Sequence, residues 1–396
     1  MISKRDSSGK EKCSLEQIDR LFALTHTYTT IGTYIDLLNG NIKDSEFMML
    51  ENGRFAYPRD TMEKMNHFFT EMLNEVRLSY DTLKKKDSLL PEYVLDFNSE
   101  SFRDAYQEDF GFDYQEYLDT IGNSWQYAER LGLSVVDMSV EDFKTHILQH
   151  MSINHQKRFF EKCVLSSNIQ LNSKDNYVQQ YNRESQLTSR PWVLFNGKVF
   201  YTANGLIESQ VVISERFSLG RFSTQSKKME SLKAEICDSK GKHFTKSIAG
   251  LFSDIHNIEV YTEQNIKPGA RLNSTYDIGD IDILIIDKYH KLVVCIEAKN
   301  YVECHTVYDA VSRMKDLKKE KVFEKVVKRD KWCKANILSF KKICNDVTDE
   351  YMVKTVFITN YSLFTDFLDT RNQYPEIYMM TALELIEHPE HLFDTN

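Results

Sequence analysis

Apolar residues recur every three or four positions through most of the amino-terminal part of the chain. The stretch TMEKMNHFFTEMLNEVRLSYDTLKK shows this spacing, as do SESFRDAYQEDF, DYQEYLDTIGNSWQYAERLG and VEDFKTHILQHM. Ser14 with Gln17 matches a capping box and predicts a helix that continues through Leu38. The periodicity predicts a helical domain over residues 1–170, whose role it does not reveal.

The pattern changes near residue 190. RPWVLFNGKVFYTA places Asn196-Gly197 between two short runs of aromatic and β-branched residues, which predicts a β-hairpin. The polar stretches NSKDNYVQQYNRESQLTS before it and SLGRFSTQSKKMES after it are typical of linkers. Residues 171–227 are therefore predicted to be a linker and β-hairpin module between two larger parts.

From residue 228 onward, helical and strand patterns alternate. MESLKAEICDSKGKHFTKSIAGLFSDI predicts a helix that Gly241 interrupts, and NIEVYTEQNI, YDIGDIDILIID and KLVVCIEAK predict three strands. A helix over 308–345, the strand VKTVFITN, and a short strand and helix in EIYMMTALELIE follow. The fold class is therefore α+β or α/β, with an αβββαβ domain and a mixed central sheet over residues 228–396 behind the helical domain.

Composition narrows the class of protein. No run approaches the roughly 20 apolar residues of a membrane span, and the start MISKRDSSGKEKCSLEQ lacks the apolar core of a signal peptide. The seven cysteines show no CxxC pair and no zinc-ligand spacing, as expected of reduced thiols. We expect a soluble cytoplasmic protein without a membrane partner.

Charge is unevenly distributed along the sequence. The formal net charge of −9 argues against a wholly basic coat protein for nucleic acid. Within residues 310–345, however, twelve basic residues stand against four acidic ones. This segment predicts either a solvated helix face or a surface that contacts phosphates, and charge alone does not decide between them.

The segment DIGDIDILIIDKYHKLVVCIEAKNY places charged residues inside two apolar strands. Residues two apart share a face of a strand, so Asp280 pairs with Asp282 on one strand and Glu297 with Lys299 on the other. A tight turn at Tyr289-His290 sets Asp282 across from Glu297 and Asp280 across from Lys299. Three carboxylates and one ammonium group are thus predicted to converge on one patch.

Such a patch is suited to a divalent metal. Two neighbouring carboxylates repel each other unless a cation lies between them, and oxygen ligands suit Mg²⁺, for which Mn²⁺ substitutes. Magnesium keeps room for phosphate oxygens, and Lys299 can hold or deprotonate the attacking water. The pattern predicts metal-assisted phosphodiester hydrolysis. The competing interpretation is a pair of edge-strand salt bridges from Asp280 or Asp282 to Lys299, although a buried ion cluster without a function is usually destabilising.

These residues resemble the motif of the PD-(D/E)xK, or restriction-endonuclease-like, nucleases. The likeness rests on GDID (279–282) and VCIEAK (294–299) within the αβββαβ order, and it covers roughly 228–387. It implies that Asp282 and Glu297 are metal ligands and that Lys299 is the motif lysine. It further implies that the backbone carbonyl of Ala298 completes the metal shell and that Asp280 is an accessory residue.

One position departs from that family. Relatives often carry a glutamate on the first helix in a G-x-x-F-E arrangement, whereas Gly241 and Phe244 are here followed by Thr245. Glu235 and Asp238 are acids on the same predicted helix, but both lie at least two turns away. The departure puts a second metal ion in doubt.

The resemblance implies a Mg²⁺-dependent endonuclease that cleaves DNA, less often RNA, and leaves a 5′ phosphate. A setting in restriction or antiviral defence rests on analogy alone. The helical part would then supply targeting, regulation or self-association, and a homodimer would suit cleavage of both strands. Two alternatives stay open. One is a catalytically inactive nuclease-fold protein that binds nucleic acid or a protein partner; the other is a helical interaction protein with a merely structural carboxy-terminal domain.

Overall fold

The computed structural model describes residues 80–90, 94–166, 189–220, 224–301, 307–363 and 370–394, with single residues and pairs elsewhere. The chain is a mixed α+β protein that divides into two compact units. The first unit contains residues 94–238, and the second contains residues 239–394 together with residues 80–90. The division falls inside one helix, between Asp238 and Ser239.

The described helices are α1 (Tyr80–Leu89), α2 (Glu100–Phe110), α3 (Tyr114–Leu131), α4 (Val140–Asp142), α5 (Ile153–Cys163), α6 (Ala203–Ser218), α7 (Lys227–Gly250), α8 (Val307–Lys319), α9 (Val322–Ala335), α10 (Thr370–Gln373) and α11 (Ala382–Glu387). The described strands are β1 (Met48–Met49), β2 (Phe55–Ala56), β3 (Val135–Ser139), β4 (Val164–Ser166), β5 (Trp192–Phe195), β6 (Lys198–Thr202), β7 (Ile258–Ile266), β8 (Gly279–Asp287), β9 (Leu292–Lys299), β10 (Met352–Thr359) and β11 (Ile377–Thr381). A π-helical segment at Phe143–Ile147 and 3-10 turns at Ile337–Lys342 and Pro389–Leu392 complete the set.

The first unit combines helices with a mixed four-stranded sheet in the order β3-β6-β5-β4. Its β5–β6 hairpin turns at Asn196 and Gly197, which both have the positive φ that this turn requires. The hairpin forms where the sequence predicts it. It is not a separate module of residues 171–227, however, because its strands pair with β3 and β4 of the preceding helical region.

Aromatic residues fill the core of the first unit. Trp192 is fully buried and donates through Nε1 to Ser124 Oγ at 3.1 Å, and Tyr201 donates to the Ser124 carbonyl at 3.1 Å. Helix α3 begins at a capping box in which Asp113 and Glu116 satisfy each other's backbone N–H groups. The polar atoms of Trp192 and Tyr201 thus have hydrogen-bond partners inside the core.

The second unit is built on a mixed five-stranded sheet in the order β11-β10-β9-β8-β7. The three strands β7, β8 and β9 are antiparallel, and β10 and β11 continue the sheet in parallel with β9. One apolar cluster on the sheet includes Phe244 and Ile248 of α7, and another includes Cys333 of α9 and Phe340. Helices therefore cover the apolar side chains of the central strands, which is the usual arrangement for a sheet with buried parallel strands.

Helix α1 belongs to the second unit, so the predicted helical domain of residues 1–170 is not one compact piece. Leu90, at the end of α1, is 6 % exposed and lies in the apolar cluster of Phe244 and Ile248. Contacts between segments so far apart in sequence leave no local pattern. The boundary between the units also lies at 238, not at the predicted 227.

Two helix predictions for the second unit are wrong in detail. The helix predicted over residues 308–345 is two helices, α8 and α9, and a 3-10 turn, because the chain breaks at Lys321, which has a left-handed φ of 55°. Helix α7 continues through Gly241 without interruption. An isolated glycine costs a helix only about 1 kcal/mol, which a helix of this length tolerates.

Some predictions fall outside the described residues. They are the helix from Ser14 to Leu38, the part before Tyr80 of the helix predicted in TMEKMNHFFTEMLNEVRLSYDTLKK, and most of the linker before the hairpin. Within the described part of the chain, no helix is both long and apolar enough to cross a membrane.

Candidate metal and catalytic site

The β8–β9 hairpin has the predicted register. Its pairs run from Asp287 opposite Leu292 to Ile283 opposite Ile296. The next residues along the two strands are Asp282 and Glu297, so the turn brings both carboxylates to the same level of the sheet.

Regular strand pairing lapses at Asp282 on both sides. Beyond Ile283 the backbone ladder to β9 ends, and the Ala298 N–H donates instead to Asp282 Oδ2 at 2.8 Å. On the other side, β7 pairs with β8 before and after Glu263, which would face Asp282 and has a left-handed φ of 54°. Such a conformation costs about 1–2 kcal/mol in a residue other than glycine.

The predicted alternation of faces is also interrupted here. Ile281 packs in the cluster of Cys333, whereas Ile283 packs in the opposite cluster with Phe244. Residues two apart in a regular strand would share one face. The irregular backbone at Asp282 is the physical reason for the difference.

Asp282, Glu297 and Lys299 meet at the end of the hairpin. Lys299 Nζ lies 2.8 Å from Glu297 Oε1 and 3.5 Å from Asp282 Oδ2. The side chains of Asp282 and Glu297 are 17 % and 9 % exposed, and that of Lys299 is 36 % exposed. The two carboxylates are therefore largely removed from water, while the ammonium group keeps access to it.

Arg329 is the site residue that the sequence analysis missed. It lies on α9, its side chain is 11 % exposed, and its NH2 group donates to Glu297 Oε2. Its NH1 group donates to the backbone carbonyl of Asp280 at 2.5 Å. Gly279 has a φ of 103°, and a Cβ there would lie 3.4 Å from Arg329 NH1. The positive φ is what favours glycine at 279, because a Cβ would make only an ordinary contact with the guanidinium.

The predicted register set Asp280 across from Lys299, but the structure places its side chain near Arg329. Its side chain is half exposed, and Oδ1 is 4.0 Å from Arg329 NH1. The structure therefore brings Asp280 to the edge of the site beside Arg329, whereas Asp282 and Glu297 both contact Lys299.

The carboxylates and Lys299 shift each other's protonation. Burial and the nearby Glu297 charge raise the pKa of Asp282 from 3.8 to about 6, despite the opposing effect of Lys299. Burial disfavours the charge on Lys299, but Glu297 and Asp282 together hold its pKa above the ordinary value. Burial and the Glu297 charge thus outweigh the stabilising effect of Lys299 and of the Ala298 N–H on the Asp282 carboxylate.

Helix α9 is fixed to the sheet just after Arg329, at Asp330 and Cys333. The buried Asp330 accepts a hydrogen bond from Thr355 Oγ1 of β10 at 2.8 Å. One turn later, Cys333 Sγ lies 3.8 Å from Cys295 Sγ of β9. These contacts hold the backbone that carries Arg329 in place against the strand that carries Glu297.

Cation–aromatic pairs lie beside the site. The Arg313 guanidinium is 4.7 Å from the centre of the Tyr301 ring, and Lys328 Nζ is 4.7 Å from that of Tyr276. Burial raises the pKa of Tyr301, although the nearby Lys299 opposes this shift. Most basic residues of α8 and α9 are exposed, in contrast to Arg329.

A chain of polar contacts continues from Lys299 into neighbouring elements. Asn300 donates to the Lys240 carbonyl of α7 at 3.3 Å and accepts from Asn360 Nδ2 at 3.4 Å. Lys86 of α1 donates to the Asn360 carbonyl at 3.4 Å. The strand end at Lys299 is therefore joined by hydrogen bonds to α7, β10 and α1.

Other predicted site features have mixed outcomes. The backbone N–H of Ala298 contacts the site, because it donates to Asp282. The role of the Ala298 carbonyl as a metal ligand stays a prediction. Glu235 and Asp238 fall in the first unit, whereas Thr245 belongs to the second.

Two groups of three side chains in the described residues have metal-ligand spacing, and both lie away from the hairpin site. In the first, Lys288 already bridges Glu259 at 2.5 Å and Asp346 at 2.7 Å, next to Cys344. The second is largely exposed and consists of His388, Glu390 and His391. Neither group includes a residue of the hairpin site.

Comparison with known proteins gives no assignment. No family model, no curated protein and no solved structure matches the chain. The case for a function therefore depends on the residues of the site.

Proposed function

We propose that this protein is a metal-dependent phosphodiesterase. The observation that carries the proposal is the convergence of Asp282, Glu297 and Lys299 at one strand end, with Lys299 Nζ 2.8 Å from Glu297 and 3.5 Å from Asp282. Within that class, we propose an endonuclease of the PD-(D/E)xK type that hydrolyses DNA. The order of α7, three antiparallel strands, two helices and a parallel strand supports this choice.

The site's donors fit a hard divalent cation. Asp282 and Glu297 offer carboxylate oxygens, and the raised pKa of Asp282 reflects burial and repulsion that a cation would relieve. We propose Mg²⁺ as the ion, held by Asp282, Glu297 and the Ala298 carbonyl, with Mn²⁺ as a substitute. When bound, the ion would supply Lewis acidity toward a phosphodiester oxygen and acidify water.

Lys299 would act as a cation in this chemistry. Its pKa lies above the ordinary value, so the ammonium group stays charged at neutral pH. A charged Lys299 stabilises negative charge that develops on phosphorus and orients the attacking water, rather than removing a proton from it. Asp280, at the edge of the site, is proposed as an accessory acid.

Nucleic acid is the proposed substrate because of the surface around the site. The exposed lysines of α8 and α9 and the pairs of Arg313 with Tyr301 and Lys328 with Tyr276 offer positive charge beside aromatic rings. We propose DNA ahead of RNA. Restriction or antiviral defence and a homodimer remain proposals by analogy with two-part nucleases.

The test is direct cleavage. The purified chain is incubated with plasmid, linear DNA and RNA in Mg²⁺, Mn²⁺ or EDTA, beside Lys299→Ala. We expect metal-dependent cleavage that falls by about 10²–10³-fold in Lys299→Ala. Absence of cleavage on every substrate, or undiminished cleavage by Lys299→Ala, would refute the proposal.

The arginine favours a second candidate function. Both oxygens of Glu297 already have cationic partners, Arg329 and Lys299, so this carboxylate is compensated without a metal. A nuclease-fold protein that binds nucleic acid or a protein partner without cleaving would have such a site. Nucleic-acid binding that survives Asp282→Ala, with no cleavage by the native chain, would favour it.

A further inference from the structure

The two oxygens of Glu297 face different partners. Oε2 accepts from the Arg329 guanidinium, whereas Oε1 lies 2.8 Å from Lys299 Nζ, on the side of Asp282. One oxygen therefore contacts α9, and the other contacts Lys299, which also contacts Asp282.

The two cations differ in how firmly they are held. The Arg329 side chain is 11 % exposed and is also bound to the Asp280 carbonyl, and α9 is fixed by Asp330 and Cys333. The Lys299 side chain is 36 % exposed at the end of β9. An incoming metal ion would thus displace the ammonium of Lys299 from Oε1 far more easily than the guanidinium from Oε2.

We propose that Arg329 is a positioning residue that makes Glu297 a one-oxygen ligand and thereby selects small octahedral cations over Ca²⁺. The inference rests on the proposed function, because it concerns the metal of the same site. Arg329 keeps Oε2 occupied, so Glu297 offers only Oε1 to the ion.

Coordination chemistry explains why this matters. Ca²⁺ takes six to eight oxygens and often binds a carboxylate through both of its oxygens, whereas Mg²⁺ has six ligands at shorter distances and keeps several waters. Occupying Oε2 denies Ca²⁺ one of its favoured contacts and takes nothing from Mg²⁺. Partners of ligating carboxylates tune metal affinity by about 10–100-fold in other sites.

The experiment measures binding rather than activity. Isothermal calorimetry gives the Kd of the full chain for Mn²⁺, as the probe for Mg²⁺, and for Ca²⁺. The native chain is expected to bind Mn²⁺ more tightly. In Arg329→Met, the ratio of the Ca²⁺ Kd to the Mn²⁺ Kd is expected to fall about tenfold.

The ratio separates ligand geometry from charge. Loss of a positive charge strengthens the binding of both ions alike, and the ratio cancels this effect. Lys331→Met removes the same charge from an exposed position of α9 and should leave the ratio unchanged. If Arg329→Met does not fold, Arg329→Lys supplies the test, because an ammonium group still covers Oε2 and the native ratio should persist.

Each outcome has a defined meaning. Two results would overturn the inference and leave the proposed function standing. One is an unchanged ratio in folded Arg329→Met, and the other is a native chain that binds Ca²⁺ as tightly as Mn²⁺. A low ratio in folded Arg329→Lys would also overturn it. A native chain that binds neither ion would refute the proposed function, and the inference with it.

Discussion

Replacing Asp282 by asparagine is expected to stabilise the metal-free protein at neutral pH. Asparagine retains an oxygen that can accept the Ala298 N–H bond at this position, and it removes the buried charge that Glu297 repels. Loss of this carboxylate, a metal ligand in the proposed function, would then increase the free energy of unfolding. Sites built for a metal commonly carry such a cost in its absence.

The magnitude follows from the pKa of Asp282. Because its pKa in the folded protein, about 6, exceeds the ordinary value of 3.8, protonated Asp282 favours folding. This contribution is complete below the unfolded pKa and is lost as the pH rises through about 6. The full loss is about 3 kcal/mol, of which about 2 kcal/mol falls between pH 4.5 and pH 7.5.

The assay is urea unfolding in EDTA at these two pH values. Relative to the native chain, Asp282→Asn is expected to gain about 2 kcal/mol of stability when the pH rises from 4.5 to 7.5. Asp280→Asn, which alters a half-exposed carboxylate two residues away, is the matched control and should show no such gain. Equal differences at both pH values would contradict the proposed burial of the Asp282 charge.

Three other predictions concern the metal and the fold. At a hundred times its Kd, Mn²⁺ should raise the unfolding free energy of the native chain by about 3 kcal/mol. It should leave the unfolding free energy of Asp282→Asn nearly unchanged. Equal stabilisation of both proteins would place the ion elsewhere. Leu90→Ala should cost about 3 kcal/mol in urea unfolding, because Leu90 is buried, whereas the exposed Leu89→Ala should cost far less; equal costs would argue against docking of α1. Gly197→Ala, at a φ of 73°, should destabilise by about 1 kcal/mol, and Gly122→Ala, inside α3 with open space at its Cβ, should stabilise by about 0.5–1 kcal/mol; the same sign for both would contradict the backbone argument.

Local signals in the sequence predicted the parts of the site that local geometry determines. The tight turn predicted at Tyr289-His290 gave the correct register of β8 and β9, because side chains alternate with a period of two and a short loop leaves little freedom. That placed Asp282 and Glu297 at one level of the sheet. In the structure the strands end at Asp287 and Leu292, so the loop has four residues. Asn196-Gly197 likewise located the hairpin of the first unit.

Arg329 could not be identified from local pattern in the same way. It lies 32 residues from Glu297 in the sequence and is one of twelve basic residues in its segment. One signal was present: Val322, Val326, Arg329 and Cys333 follow helical spacing and are all buried. A cation on the apolar face of a helix needs a buried acidic partner, and few acidic residues lie in predicted central strands.

The sequence of the second unit is interrupted by the first. Lys86 of α1 and Asn360, which are hydrogen-bonded, are separated by 274 residues. Ribosomal synthesis makes α1 early, so its contacts with Asn360 and with α11 must wait until nearly the whole chain is made. Closing so long a loop has an entropic cost and slows folding. The docking of α1 is therefore expected to be a late folding event, and the nascent chain leaves Leu90 available to chaperones until then.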